Sequence, residues 1–257
     1  MRILFALISA SLRSLLANKK ALFLRSSFMI INDILYIMFW YFIFRKTETL
    51  YGLTLIDVYR LLALRLISYG FATSISAGWK DFKYLIETGA MDVYLLRPAH
   101  PMIQAIFSSI ELSAIGDFIL GIGLFFLTSH DPIGELPLLI FMILAGGLAW
   151  LGACLCIYSL SFWKILSEST IELLFSLSLT ISSYPEKIIG RMVHFIAFFL
   201  LPIGISIYLP ARFASAPSPM GILAVTASSV FLLLLAKVIF DAGLKRYESG
   251  SGWTVHT

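Results

Sequence analysis

The chain has 257 residues, 59% of them hydrophobic, 14% aromatic and 13% charged, with a mean hydropathy of +0.91. Soluble domains carry about 25% charged residues, so this chain lacks the charge to coat a water-facing surface. That excludes a cytoplasmic or secreted globular protein and excludes disorder. The excess of 19 Lys and Arg over 15 Asp and Glu reports orientation in a membrane protein, so it implies no nucleic-acid partner.

The first seventeen residues resemble a signal peptide until Arg13 interrupts the apolar stretch, and Asn18-Lys19-Lys20 leads straight into the next run. Read as a helix, Arg2, Ser9, Arg13 and Lys20 share one face, and Leu4, Leu7, Ile8, Leu12 and Leu15 lie broadly opposite. The pattern predicts an amphipathic elbow helix over residues 1–18, lying on the inner leaflet. The competing reading is the retained start of a longer first span.

A span needs about 20 apolar residues. Runs at 21–44, 57–79, 102–127, 137–162, 168–184 and 220–242 predict six transmembrane helices in a single transmembrane domain, residues 1–257. One side would hold Arg2, Arg13, Lys19, Lys20, Arg25, Lys80, Lys83, Arg97, Lys164, Lys237, Lys245 and Arg246. The other side would hold Arg45, Lys46, Lys187, Arg191 and Arg212. The positive-inside rule therefore puts both termini in the cytoplasm.

Residues 185–219 do not read as a simple loop. The apolar run from Val193 to Leu209 is interrupted by Pro202 and Gly204 and bracketed by Pro185, Pro210, Pro217 and Pro219. Broken backbone at membrane depth is tolerated only against protein or a cavity. The expectation is a re-entrant extracellular helical hairpin between helices five and six. It is a candidate gate beginning at Tyr184 and Pro185 and breaking at Pro202 and Gly204. A seventh span or a packing insert is the alternative.

Asp33, Arg65 and Asp117 stand inside predicted spans, where ionisable side chains are expensive and face protein or a water-filled cavity. At about 1.5 Å per residue all three fall at nearly one depth, which allows a buried ion pair or the polar lining of a path. Arg60 is close enough to the interface to snorkel, and Lys237 and Asp241 are spaced as a local pair. Ala145, Ala149 and Ala153, beside Gly146 and Gly147, form a ridge that lets another helix approach closely. Cys154 and Cys156 point to opposite sides of a helix and cannot bridge each other. The four histidines are scattered, so no metal site is expected.

The most informative segment runs from Lys80 to His100. It is the longest charged stretch between two spans, and it mixes charge with Phe82, Tyr84, Leu85, Ile86, Val93, Tyr94, Leu95 and Leu96. A short helix docking on a soluble cytoplasmic partner should look like this. Gly89 and Pro98 punctuate it.

Its core, Ile86-Glu-Thr-Gly-Ala-Met-Asp-Val-Tyr-Leu-Leu-Arg-Pro98, resembles the cytoplasmic signature of ABC-2-type transporter permeases, I-x-x-G-x-(hydrophobic)-D-x-x-L-L-R-P. Ser161-Phe162-Trp163, Ser183-Tyr184-Pro185 and the C-terminal Gly243-Leu-Lys-Arg-Tyr-Glu-Ser-Gly agree with it in order and spacing.

The resemblance implies the membrane half of an ATP-driven ABC exporter in the inner membrane of a prokaryote, with the path between two permeases. The second permease would be another copy of this chain or a paralogue. A separate nucleotide-binding ATPase subunit would dock on the coupling segment after span two, at Lys80, Asp81, Lys83, Glu87, Gly89, Asp92, Leu96, Arg97 and Pro98.

This chain has no G-x-x-x-x-G-K-[ST] string, so it is expected to be non-catalytic, with ATP and Mg in the partner and no cofactor of its own. The alternatives are a secondary transporter driven by an ion gradient through Asp33, Arg65 and Asp117, and an integral-membrane enzyme acting on lipid. A lipid, drug, peptide or glycan substrate fits the spans equally well.

Overall fold

The computed structural model describes residues 19–163 and 167–248. The predicted elbow helix at 1–18 lies outside the described residues, as do Lys164 and the chain beyond Glu248. Among the described residues the regular structure is helical.

Helix α1, Lys19–Phe44, has 26 residues without Pro or Gly and is about 39 Å long, enough to cross the roughly 30 Å hydrocarbon core. Helix α2, Leu55–Ile75, begins in a capping box between Thr54 and Asp57. It ends where the Ser76 hydroxyl donates to the Ala72 carbonyl at 2.7 Å. A 3-10 turn, Gly78–Asp81, leads into the short helices α3, Phe82–Glu87, and α4, Asp92–Leu95.

The run expected to form one span at 102–127 is divided into α5, Pro101–Ile106, and α6, Ala114–Thr128. The polar residues between them explain the break. The Ser109 carbonyl accepts from Ala77 N at 2.8 Å, and Glu111 N donates to the Thr73 carbonyl at 3.3 Å. The backbone at 107–113 thus satisfies the frayed end of α2 in place of its own helix.

Helix α7, Leu136–Ser159, is extended by a 3-10 turn to Phe162. Helix α8, Glu168–Ser182, is capped by Ser167. Next comes a bent pair, Arg191–Leu200 and Gly204–Ala214, whose arms meet at 92°. It opens with α9, Arg191–Phe195, continues through π-helical turns and closes with α10, Leu209–Ser215. Helix α11, Pro219–Leu244, completes the described fold.

Among the described residues, Leu22–Phe44, Leu136–Phe162 and Pro219–Leu244 are long and apolar enough to cross a membrane alone. Leu55–Ile75 with Gly78–Glu87, bent by 68°, and the 92° pair qualify as broken units. Helices α6 and α8 have 15 residues each, about 22 Å, which falls short of a full hydrocarbon core.

Helix α2 is the centre of the bundle, packed by α1, α6 and α7. Its approach to α6 is backbone-close. A Cβ at Gly70 would stand 2.5 Å from the Phe118 nitrogen, and one at Gly121 would stand 2.8 Å from the Ile67 nitrogen. The α7 ridge does what its spacing suggested. Ala149 and Ala153 pack on Leu232 of α11, and the Ser229 hydroxyl donates to the Ala145 carbonyl at 2.8 Å. A Cβ at Gly147 would stand 2.5 Å from the Phe71 ring of α2.

Candidate functional site

Three sets of residues make up the candidate site. The first is buried among the spans. Asp33 of α1, Arg65 of α2 and Asp117 of α6 are each at most 6% exposed. Arg65 Nη1 lies 3.7 Å from Asp33 Oδ1, and Asp117 is within hydrogen-bonding reach of Asp33. One guanidinium therefore faces two carboxyls, and Asp33 Oδ2, Arg65 Nε and Asp117 Oδ1 are buried without a hydrogen-bond partner. Sequence reasoning placed these three at one depth, and the fold brings them together.

The second set is the segment from Lys80 to Pro98. Trp79, Phe82 and Met91 are fully buried and hold it to the bundle. The Trp79 ring lies 4.8 Å from Tyr158 of α7 and 5.4 Å from Phe175 of α8, and Phe82 lies 5.4 Å from Phe240 of α11. Lys80 pairs with Glu111 and sits over the Trp79 ring. Lys83, expected on the surface, is buried and reaches Glu87 at 2.9 Å. Gly89 turns the chain at a φ of +74°, which only glycine adopts readily.

Asp81, Glu87, Leu96 and Pro98 are exposed, Leu96 to 88%. Tyr84, Val93 and Leu95 of the same segment are exposed as well. Arg97 lies over the Tyr94 ring at 5.6 Å. His100 joins the expected Lys237–Asp241 pair, its Nε2 3.1 Å from Asp241 Oδ1, and so ties the end of the segment to α11. Asp92 stands beside Tyr247; burial, with that carboxylate, pushes the Tyr247 hydroxyl up to about 12.

The third set lies around the bent pair, at the opposite end of α1. Trp40 Nε1 donates to the Ser183 carbonyl at 3.3 Å, and Tyr184 lies 5.8 Å from the Trp40 ring. The Tyr208 hydroxyl reaches the Ile181 carbonyl at 2.8 Å and the Tyr184 carbonyl at 3.1 Å. Pro202 lies in the break between the arms, and a Cβ on Gly204 would collide with the Phe198 ring. Only glycine lets the two arms close on each other there.

Sequence reasoning missed Glu186, which clasps both arms. Its carboxylate accepts from Arg212 Nε at 2.8 Å, and His194 Nε2 stands 2.8 Å away. Partial burial would raise this carboxyl, but the hydrogen bonds from Arg212 and His194 outweigh it and hold the group below its usual range. Nothing in the spacing of 186, 194 and 212 signals the clasp, because the bend alone brings them together. Sequence reasoning also missed the pairing of Arg60 with Glu135, which joins the start of α2 to the turn before α7.

Two concavities flank this end. A 380 Å³ cavity is walled by Gly52, Asp57, Pro185, Glu186, Lys187 and Arg212, with Tyr208 at its side. A shallower groove of 220 Å³ runs along α1 past Asn32, Leu35, Tyr36 and Phe39 to Tyr184. Among the described residues no group of three or more His, Cys, Asp or Glu could hold a metal ion. Both cysteines are buried and unbridged.

A profile described as "ABC-2 family transporter protein" matches residues 30–251, covering all three sets. The chain belongs to the ABC-2 family of transporter proteins. This ABC-2 protein is accordingly a multi-pass membrane permease of the ABC transporter class. No curated protein and no solved structure matches the chain. Within the permease, the signature that carried the resemblance corresponds to α3, the Gly89 turn and α4, so its glycine and its buried Met91 have structural reasons to be where they are.

Proposed function

We propose that the chain is the permease subunit of an ATP-driven exporter, with six spans, both termini cytoplasmic, and the path formed between two permeases. A separate ATPase subunit, which holds ATP and Mg, docks on residues 80–98. The observation that carries this reading is a segment anchored by buried aromatic side chains yet exposed, among the described residues, on its other face. Trp79, Phe82 and Met91 fasten it to α7, α8 and α11, while Tyr84, Val93, Leu95 and Leu96 face outward.

Such a segment works as a lever. A push on the exposed face passes through the Trp79–Phe175 and Phe82–Phe240 contacts into the spans without a flexible joint. Interiors packed at crystal-like density transmit displacement in this way.

The exposed face of α1 supports a second permease beside the first. Asn32 stands near the middle of that helix and is exposed, next to Leu35, Tyr36 and Phe39. An amide in open hydrocarbon is costly; between two permeases it lines a path or meets a partner. Helices α1 and α8 flank that path. The bent pair, clasped by Glu186, closes it on the outside, with Tyr184, Pro185, Pro202 and Gly204 shaping the gate. Family membership favours this reading over transport driven by an ion gradient.

The test is purification of the tagged chain from its native membranes in mild detergent. A stoichiometric Walker-motif ATPase is expected, and Leu96→Asp should release it. Identification of the second permease in the same sample decides between a copy and a paralogue. A chain that purifies alone and moves solute in ATP-free liposomes would overturn the proposal.

A further inference from the structure

A cavity of 430 Å³ lies between α7, α11 and the tip of the bent pair, lined among others by Cys156, Leu160, Phe199, Pro202, Leu235 and Ile239. Among the described residues that line it, no side chain carries a charge or an oxygen atom. Its rim at Phe199 and Phe231 is exposed, on the side where Val230, Leu234 and Val238 form an exposed apolar stripe along α11. In a bilayer an exposed apolar stripe of this kind meets lipid tails, and a cavity mouth beside it would open to them.

Water gains nothing here, since it needs two or more polar partners. An empty space would leave the wall atoms without dispersion partners on one side. A flexible hydrocarbon chain meets both conditions, and lipid tails are the neighbours at this depth. Leu235 lies nine residues before Leu244, about 13 Å from that end of α11. The cavity therefore belongs to the leaflet nearest the C-terminal end of α11.

Charge follows the cavity-lining stretch of α7 in sequence. Leu160 lines the cavity, and three residues on, past the 3-10 turn, Trp163 holds the exposed Arg246 over its ring at 5.5 Å. Lys245 beside it is also exposed. A guanidinium held over an indole ring retains N–H groups that can meet a phosphate in plane.

We propose that this cavity holds one acyl chain of a membrane lipid whose anionic headgroup sits on Arg246. The occupant is a phospholipid of that leaflet, and the headgroup sets which one.

The test places the full chain in phosphatidylcholine nanodiscs that contain phosphatidylglycerol with a diazirine midway along one acyl chain. After irradiation, adducts are mapped by mass spectrometry of peptides. Labels should concentrate at Cys156, Leu235 and Ile239 over Val230, Leu234 and Val238. Leu235→Trp, which fills the cavity, should bring the two sets to the same level. Arg246→Gln should lower cavity labelling by phosphatidylglycerol about fivefold, the weight of one basic residue at an anionic surface. It should leave labelling by an equally tagged phosphatidylcholine unchanged.

Equal labelling of cavity and stripe in the unaltered chain would overturn the proposal. So would cross-linking of two copies through Phe199 and Leu235. Equal loss of both lipids in the Arg246 variant would overturn the headgroup assignment.

Discussion

The Arg65 guanidinium of α2 lies 3.7 Å from the Asp33 carboxylate of α1, with Asp117 of α6 against the same carboxylate. Three helices are thereby held by one positive charge. Removing one partner of a buried pair strands the other, at a cost of about 3–5 kcal/mol. Arg65→Met should therefore lower stability by that order, read as thermal unfolding in detergent. Asp117→Asn keeps the shape and supplies an N–H, leaves the Asp33–Arg65 pair balanced, and should cost well under half as much. Equal losses would show that the cluster does not act through charge.

The lever predicts a separation of hydrolysis from transport. Trp79→Ala removes the ring between Tyr158 and Phe175, both of which it touches edge-on. The expected outcome is an assembled complex that hydrolyses ATP with transport reduced at least tenfold. Truncating a buried Trp also costs about 3–5 kcal/mol, so Trp79→Phe serves as the milder companion and should restore part of the coupling. Full coupling in Trp79→Ala would refute the lever.

The Glu186 clasp should open in acid. Its folded carboxyl lies below its unfolded value, so its contribution is fully present above the unfolded value and lost as pH falls through the lowered folded one. The groups that face it are Arg212 and His194. Protease sensitivity or hydrogen exchange of residues 191–214 should rise as the pH drops below the usual Glu range, about 4. In Glu186→Gln the same segment should be loosened at neutral pH and show a flatter pH response.

Close helix approach makes a fourth prediction. A Cβ at Gly121 would stand within 3.0 Å of the Ile67 nitrogen, Leu66 Cβ and the Ala63 carbonyl, and one at Gly152 would stand 2.8 Å from Leu232 Cβ. Overpacking costs about 1–3 kcal/mol. Gly121→Val and Gly152→Val should each lower stability by that order, read as a fall in the unfolding temperature, whereas Gly123→Val, with open space around it, should not.

Much of the fold was legible in the chain. The runs that became α1, α7 and α11 are unbroken and apolar, and hydropathy alone marks them. The bend near Pro202 and the Gly89 turn were legible because proline and glycine act locally. The division of the 102–127 run was not, since Ser109 and Glu111 break it only by bonding the frayed end of α2. Gly70 and Gly121 gave no ridge like that of α7, yet they set the tightest packing of the centre. Lys83 reads as a surface charge and is buried, because Trp79 and Phe82 draw its helix into the core.

By itself the sequence determined the class of the protein, the position of its longest spans, the charged segment at 80–98 and the presence of charges inside the apolar runs. Those follow from hydrophobicity, from glycine and proline, and from the rise of a helix, all of which act over a few turns of chain. Tertiary structure alone decided which charges meet. Arg65 with Asp33, Arg60 with Glu135, Lys80 with Glu111, and Glu186 with Arg212 each join residues too far apart in sequence to meet within one helix. Such pairing is set by how helices pack and bend in three dimensions, which no local pattern encodes.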